Sequence, residues 1–240
     1  MNHAAWRKAS RRHYAALTIA ALACLFAGVS AAPPAAAAPS SPWVAFQSSL
    51  RNGQFGGDGV FLVRPDGTDQ HEVATAIPGR HIHPDWSSDG SHLVFWTDHV
   101  DPDTGQVDGT AVFTVAADGT GLVQVTPPSM LAGECDWPPD GTRLVFGTHP
   151  LGGFNFDLVV SNLYTVRPDG TGLRQLTHST TPNDRATQAH FTPDGRIIYT
   201  RVTRAGRALW LMDADGSNAA PIPPNALRFR THGDWQPTPG

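Results

Sequence analysis

The chain has 240 residues, with 24 Gly and 21 Pro, and its 17 Lys and Arg are outnumbered by 21 Asp and Glu. Four of the basic residues, Arg7, Lys8, Arg11 and Arg12, precede every acid, so the part beyond residue 40 sets 13 Arg against 21 acids, a formal charge of −8. That balance removes the electrostatic basis for nucleic acid or an anionic membrane as partner, and the Gly and Pro density excludes an architecture of long helices.

The basic stretch Arg7 to Arg12 opens onto a small and apolar run, Ala15 to Ala32, and then onto APPAAAAPS. This is the pattern of a secretory signal peptide, with cleavage expected between Ala31 and Ala38. Residues 1–38 are therefore read as an export signal and residues 41–240 as the exported domain. An uncleaved anchor is disfavoured by the alanine-rich run, which has no anchoring flank on its far side. A lipid anchor on Cys24 is disfavoured because Ala21, Leu22 and Ala23 form a poor lipoprotein box. Ser10 to Tyr14 follow a twin-arginine signal only loosely, so either export route leads to a periplasmic or extracellular address. Without the signal, Cys135 is the only cysteine, no internal disulfide forms, and a buried apolar role is expected for it.

Beyond residue 40 the organising signal is an internal repeat. FLVRPDGTDQHEVAT (61–75) recurs as FTVAADGTGLVQVT (113–126), YTVRPDGTGLRQLT (164–177) and, more weakly, LWLMDADGSNAAPI (209–222). HPDWSSDGSHLVFWTD (83–98) recurs as ECDWPPDGTRLVFGTH (134–149) and QAHFTPDGRIIYTR (188–201). The turn aspartates Asp66, Asp118, Asp169 and Asp215 are 52, 51 and 46 residues apart, the size of one four-stranded propeller blade. Segments such as HLVFWT and RLVFGT are rich in β-branched and aromatic residues, and Asp-Gly at each break supplies the positive φ of a tight hairpin.

The expected fold is all-β: a four-bladed β-propeller of four-stranded antiparallel blades near 43–75, 82–126, 134–177 and 188–222. THGDWQPTPG (231–240) matches the start of the second repeated string and stops before its following strand, whereas WVAFQSS (43–49) supplies the missing piece. The ring is therefore expected to be closed by the N- and C-terminal strands. In that scheme the strand around Asp234 and Trp235 is innermost in the first blade, which removes free sheet edges.

The recurring x-D-W-S-x-D-G-x-x-L-V-F and L-Y-x-V-R-P-D-G-T-G-L-x-x-L-T patterns resemble the repeats of TolB-type, WD-like β-propellers, over essentially all of residues 43–240. The resemblance implies fold and leaves function open, because such repeats serve in periplasmic TolB, in the gating propellers of prolyl-oligopeptidase-like enzymes and in oligogalacturonate lyases. TolB itself carries six blades behind an α/β domain, neither of which is read here.

No G-x-S-x-G elbow, H-E-x-x-H helix or glycine-rich phosphate loop occurs in the sequence. Aligning the innermost strands on Trp86, Trp137, Phe191 and Trp235 puts His83, Glu134, Gln188 and His232 at one equivalent position, three residues earlier. In a closed ring these four converge on the axis, and two imidazoles with a carboxylate and an amide suit Zn, Mn or Ni. His81 is a further candidate ligand or base, and HIHPDWSSDG (81–90) resembles the H-x-H-P-x-x-S-x-D-G segment of the oligogalacturonate lyases, where such histidines hold the catalytic metal. The competing expectation is a polar channel that binds only water. Asp85, Asp136, His190 and Asp234, next to the aromatics, are expected to accept hydrogen bonds between blades. DPDTGQVDG (101–109) lacks the full acid pattern of a calcium loop and is read as a solvated loop.

The function expected from these readings is a monomeric, exported, non-enzymatic binding module for a protein or cell-envelope component. The runner-up is a metal-dependent carbohydrate-active enzyme.

Overall fold

The computed structural model describes residues 43–51, 54–149 and 160–223. These form fifteen strands and one short 3₁₀ turn, Pro128–Met130. The first sheet comprises β1 (Val44–Arg51), β2 (Gln54–Val63) and β3 (His71–Glu72). The second comprises β4 (His81–Trp86), β5 (His92–Val100), β6 (Val107–Ala116) and β7 (Val123–Gln124). The third comprises β8 (Ala132–Asp136), β9 (Leu144–Thr148), β10 (Leu163–Val166) and β11 (Arg174–Gln175). The fourth comprises β12 (Asp184–Phe191), β13 (Ile197–Thr203), β14 (Gly206–Met212) and β15 (Ala220–Pro221). Every pairing is antiparallel between sequence neighbours, so each sheet is a meander, as in a propeller blade.

The repeated turns explain why the chain reverses where it does. Asp66 Oδ1 accepts both the N–H (2.9 Å) and the hydroxyl (2.7 Å) of Thr68. Asp118 with Thr120, Asp169 with Thr171 and Asp215 with Ser217 repeat the motif. The glycine between each pair (67, 119, 170 and 216) has φ between 81° and 84°, which a side chain would strain.

Between the turns, β5 is buried on both faces, which is why it reads as the unbroken run LVFW. Leu93 and Phe95 pack with Val60 and Leu62 of the first blade, whereas Val94 and Trp96 pack with Ala132, Leu144 and Phe146 of the third. Val145 and Leu163 continue the series against Ile197 and Tyr199 of the fourth. The core is therefore a set of layers between successive blades. A cross-strand aromatic pair recurs in register in every blade: Phe46 with Phe61, Phe95 with Phe113, Phe146 with Tyr164 and Tyr199 with Trp210. Such pairs add about 0.5–1.5 kcal/mol beyond the area they bury.

Each innermost strand packs on the blade before it: β4 on β1 and β2, β8 on β5 and β6, β12 on β9 and β10. β8 also touches both β4 and β12, so the innermost strands line up side by side.

The four sheets match the expected blades, with two adjustments. The innermost strands start earlier than the repeat suggested, at His81, Ala132 and Asp184. The expected loop 101–109 is shorter, because the long β5–β6 ladder recruits Val107 and Gly109 and leaves a tight turn in which Asp101 Oδ1 accepts the N–H groups of Asp103 and Thr104. The closing strand expected around Asp234 and Trp235 lies outside the described residues. The first sheet, β1–β2–β3, fills the three positions that closure leaves to residues 43–75.

Candidate functional site

The aligned residues His83, Glu134 and Gln188 share a conformation as well as a repeat position. Their φ angles are 51°, 48° and 53°, in the left-handed region, and each sits at a break in register with the next strand. Such a bulge re-aims a side chain at the rim of a sheet, and in a non-glycine residue it persists only where the surroundings enforce it.

The enforcement comes from neighbouring blades. Gln47 Oε1 accepts the His83 N–H at 3.2 Å, and Glu134 Oε2 accepts the Gln188 N–H at 3.1 Å. Two residues further on, Asp85 Oδ2 accepts the Trp137 N–H at 3.4 Å and Asp136 Oδ2 accepts the Phe191 N–H at 2.7 Å. The carboxylates beside the aromatics thus tie each innermost strand to the next, the role expected of them. In the fourth blade the equivalent residue is His190, whose Nδ1 lies 3.4 Å from Asp136 Oδ1. Burial, and then the charge of Asp136, push the Asp85 carboxyl up to about 6.

Among the candidate ligands, His83 is exposed, and Glu134 and Gln188 are half-buried. His81 stands apart from them. It is fully buried, its ring lies 5.5 Å from Phe95, and its Nε2 is 3.1 Å from the Ile77 carbonyl oxygen. The bulge at His83 separates the two histidines that the H-x-H spacing suggested would act together: one ring enters the core and the other meets solvent. Gln188 Oε1 accepts from the Thr200 hydroxyl, so both Glu134 and Gln188 use side-chain oxygens to bind protein. Among the described residues no group of three or more His, Cys, Asp or Glu is spaced to hold a metal ion, and His232 lies outside them.

The structure adds two residues that the repeat alignment did not single out. His149 sets its ring edge-on to Trp96, with centroids 4.8 Å apart, and His83 approaches the same indole at 6.2 Å. Trp96 Nε1 and His149 Nε2 are both buried without a hydrogen-bond partner. Burial lowers the His149 imidazole, opposed by Glu134 and reinforced by His83. The available signal was positional: Trp96 is the equivalent of Gln47 and Thr200, both of which bond to a bulge residue of an innermost strand.

Cys135 is buried among Ile82, Trp96 and Trp137, and burial pushes its thiol well above the usual range. This matches the packing role expected of it and is the reverse of an activated nucleophile.

The sequence matches no protein-family model and no curated protein. Solved structures do share its fold. The protein assigned as TolB from Agrobacterium tumefaciens superposes with a TM-score of 0.57 at 18% identity, over 75% of this chain and 60% of that one. The chain folds as a TolB-like β-propeller. TolB from Acinetobacter baumannii aligns with a TM-score of 0.53 at 12% identity, over 75% of this propeller and 40% of that chain. An oligogalacturonate lyase in complex with manganese aligns with a TM-score of 0.54 at 14% identity, over 68% of the propeller and 47% of the lyase. The propeller therefore spans between 40% and 60% of the length of the TolB chains it resembles. At these identities the likeness is one of fold alone.

Proposed function

We propose that this propeller is an exported, non-enzymatic binding module that recognises a protein or cell-envelope component. The observation that supports this reading is the employment of the inner carboxylates. Asp85, Asp136 and Glu134 each accept a backbone N–H of the following blade, so the acids best placed for proton transfer are spent on scaffold. Meanwhile the bulge position repeats in conformation but changes in chemistry, from His83 to Glu134 to Gln188. A fixed backbone that presents different side chains from blade to blade is how a scaffold builds a recognition surface. The signal-like residues 1–38 support export; among the described residues no helix is long and apolar enough to cross a membrane.

The competing reading, suggested by the manganese-bound lyase, places Zn, Mn or Ni among His83, Glu134, Gln188 and His232. Elemental analysis of the purified mature protein separates the two, together with an assay for unsaturated products from polyuronate. A binding module shows neither stoichiometric metal nor product, and immobilised protein retains a saturable envelope partner. One divalent ion per chain, lost in His83→Ala with His232→Ala, together with lyase activity, contradicts it.

A further inference from the structure

The third blade carries a charge arrangement that its sister blades lack. Arg143, just before β9, donates from Nη2 to the Gly172 carbonyl oxygen and to Thr165, which fixes its guanidinium beside the β10–β11 turn. Arg167 reaches the same place from the end of β10. A Cβ on Gly172 would lie 2.7 Å from Arg167 Nη1 and 3.3 Å from Arg143 Nη1, so these two cationic nitrogens are no more than about 6 Å apart. Arg174 follows on β11, with Leu173 beside it 49% exposed. None of the three arginines makes an ion pair with a described carboxylate. Asp169 and Asp215 feel Arg167 and Arg174 only at a distance.

Equivalent positions elsewhere are neutralised. In the first blade Trp43 stands where Arg143 does, and Arg64 stacks on it at 3.5 Å while pairing with Asp69, the counterpart of Gly172. In the second blade the pair is His92 and Ala116. In the fourth it is Arg196, held by Asp194, and Asp213, which is bonded to Asn218. The residue at the Gly172 position is left-handed in all four blades (Asp69, Gly121, Gly172, Asn218), so the backbone is constant and only the charge differs. Burial, then Arg167 and Arg174, lower the Arg143 guanidinium, as expected where cations crowd without an anion.

The geometry points to an anion site on the outer edge of the third blade, where Arg143, Arg167 and Arg174 take the carboxylates of an acidic polypeptide segment of the partner. The inference rests on the binding-module reading and names the chemistry of what is bound. Two facing guanidiniums with a third along the strand suit carboxylates spaced along a chain better than one compact ion. Arg143 and Thr165 also border a cavity of about 290 Å³ whose walls include Pro138, Pro139, Phe191 and Pro193, room for an apolar side chain, together with Asp140 and with Asp194, which is paired with Arg196. On a chain whose part beyond residue 40 carries −8, three arginines without an ion pair among the described residues give an acidic partner one defined place to dock.

The test uses the mature chain and a fluorescent hexaglutamate peptide in an anisotropy titration at low salt, with inorganic phosphate as a second probe. Arg167→Glu and Arg174→Glu are expected to weaken peptide binding at least tenfold, while Arg207→Glu on β14 leaves it within twofold. Arg167→Glu puts a carboxylate beside Arg143, so its melting temperature should not fall, which separates lost binding from lost folding. Peptide binding that is absent, or equally reduced by Arg207→Glu, overturns the site. Phosphate binding as tightly as the peptide overturns the polypeptide assignment. Capture of an envelope partner undiminished by Arg167→Glu overturns the third-blade site and leaves the binding module standing. Peptide binding lost in Arg167→Glu with no envelope partner captured does the reverse.

Discussion

Asp85 shows how one residue couples the scaffold to pH. Its carboxyl is raised to about 6 by burial and by Asp136, so the native state holds that proton more tightly than the unfolded chain, where an aspartate titrates near 3.9. Its contribution is therefore lost as pH rises from about 4 through 6, and above 6 the ionised form costs stability. The turn aspartates have the opposite sign. Asp89 is held down to about 2 by the Ser87 and Ser91 hydroxyls and the Ser91 N–H, and Asp194 to about 2 by Thr192 and Arg196. Their contribution is present above about pH 4 and is lost as pH falls toward 2. Asp85→Asn keeps an oxygen to accept the Trp137 N–H and removes the charge. At pH 8 it should melt at or a few degrees above the wild-type temperature, given about 2–4 °C per kcal/mol for a domain of this size. It should also flatten the melting profile between pH 4 and 7. A lower melting temperature at pH 8, with an unchanged profile, contradicts this reading of the inner acids.

At the level of one strand, β8 depends on a close approach that only glycine permits. A Cβ on Gly133 would fall 2.0 Å from His149 Nε2 and 3.1 Å from the Trp96 ring. Gly133→Ala should therefore cost about 1–3 kcal/mol by overpacking, measured in urea. Gly133→Ala with His149→Ala should recover about half of that loss, because the obstructing ring is gone. Strict additivity of the two single changes would show that His149 does not seal this strand.

The hairpins and the blade period were legible in the sequence because Asp-Gly-Thr turns close through residues two positions apart. The inner carboxylates were legible because Asp85 and Asp136 hold the same repeat position and act on equivalent neighbours, the N–H groups of Trp137 and Phe191 in the following blades. The bulges were not, since His83, Glu134 and Gln188 carry no glycine signature, and the acceptors that hold the N–H groups of His83 and Gln188 lie in another blade, Gln47 being 36 residues away. Nor was the meeting of Trp96 with His149, which joins non-equivalent positions of two blades.

For the whole molecule, the layers of core between blades mean that each sheet depends on the next, as in other repeat arrays. The first sheet is the informative case: among the described residues β1 pairs only with β2, and the scheme expects residues 231–240, which lie outside the described residues, on its other side. An unpaired edge there would invite association between copies, whereas closure within one chain would remove it. A four-bladed ring completed by its own C-terminal strand is tested by amide hydrogen exchange in β1. The comparison is between the mature chain and one ending at residue 230. We predict slow exchange at Ala45 and Gln47 in the mature chain and at least tenfold faster exchange after truncation. Equal protection in the two would contradict the ring.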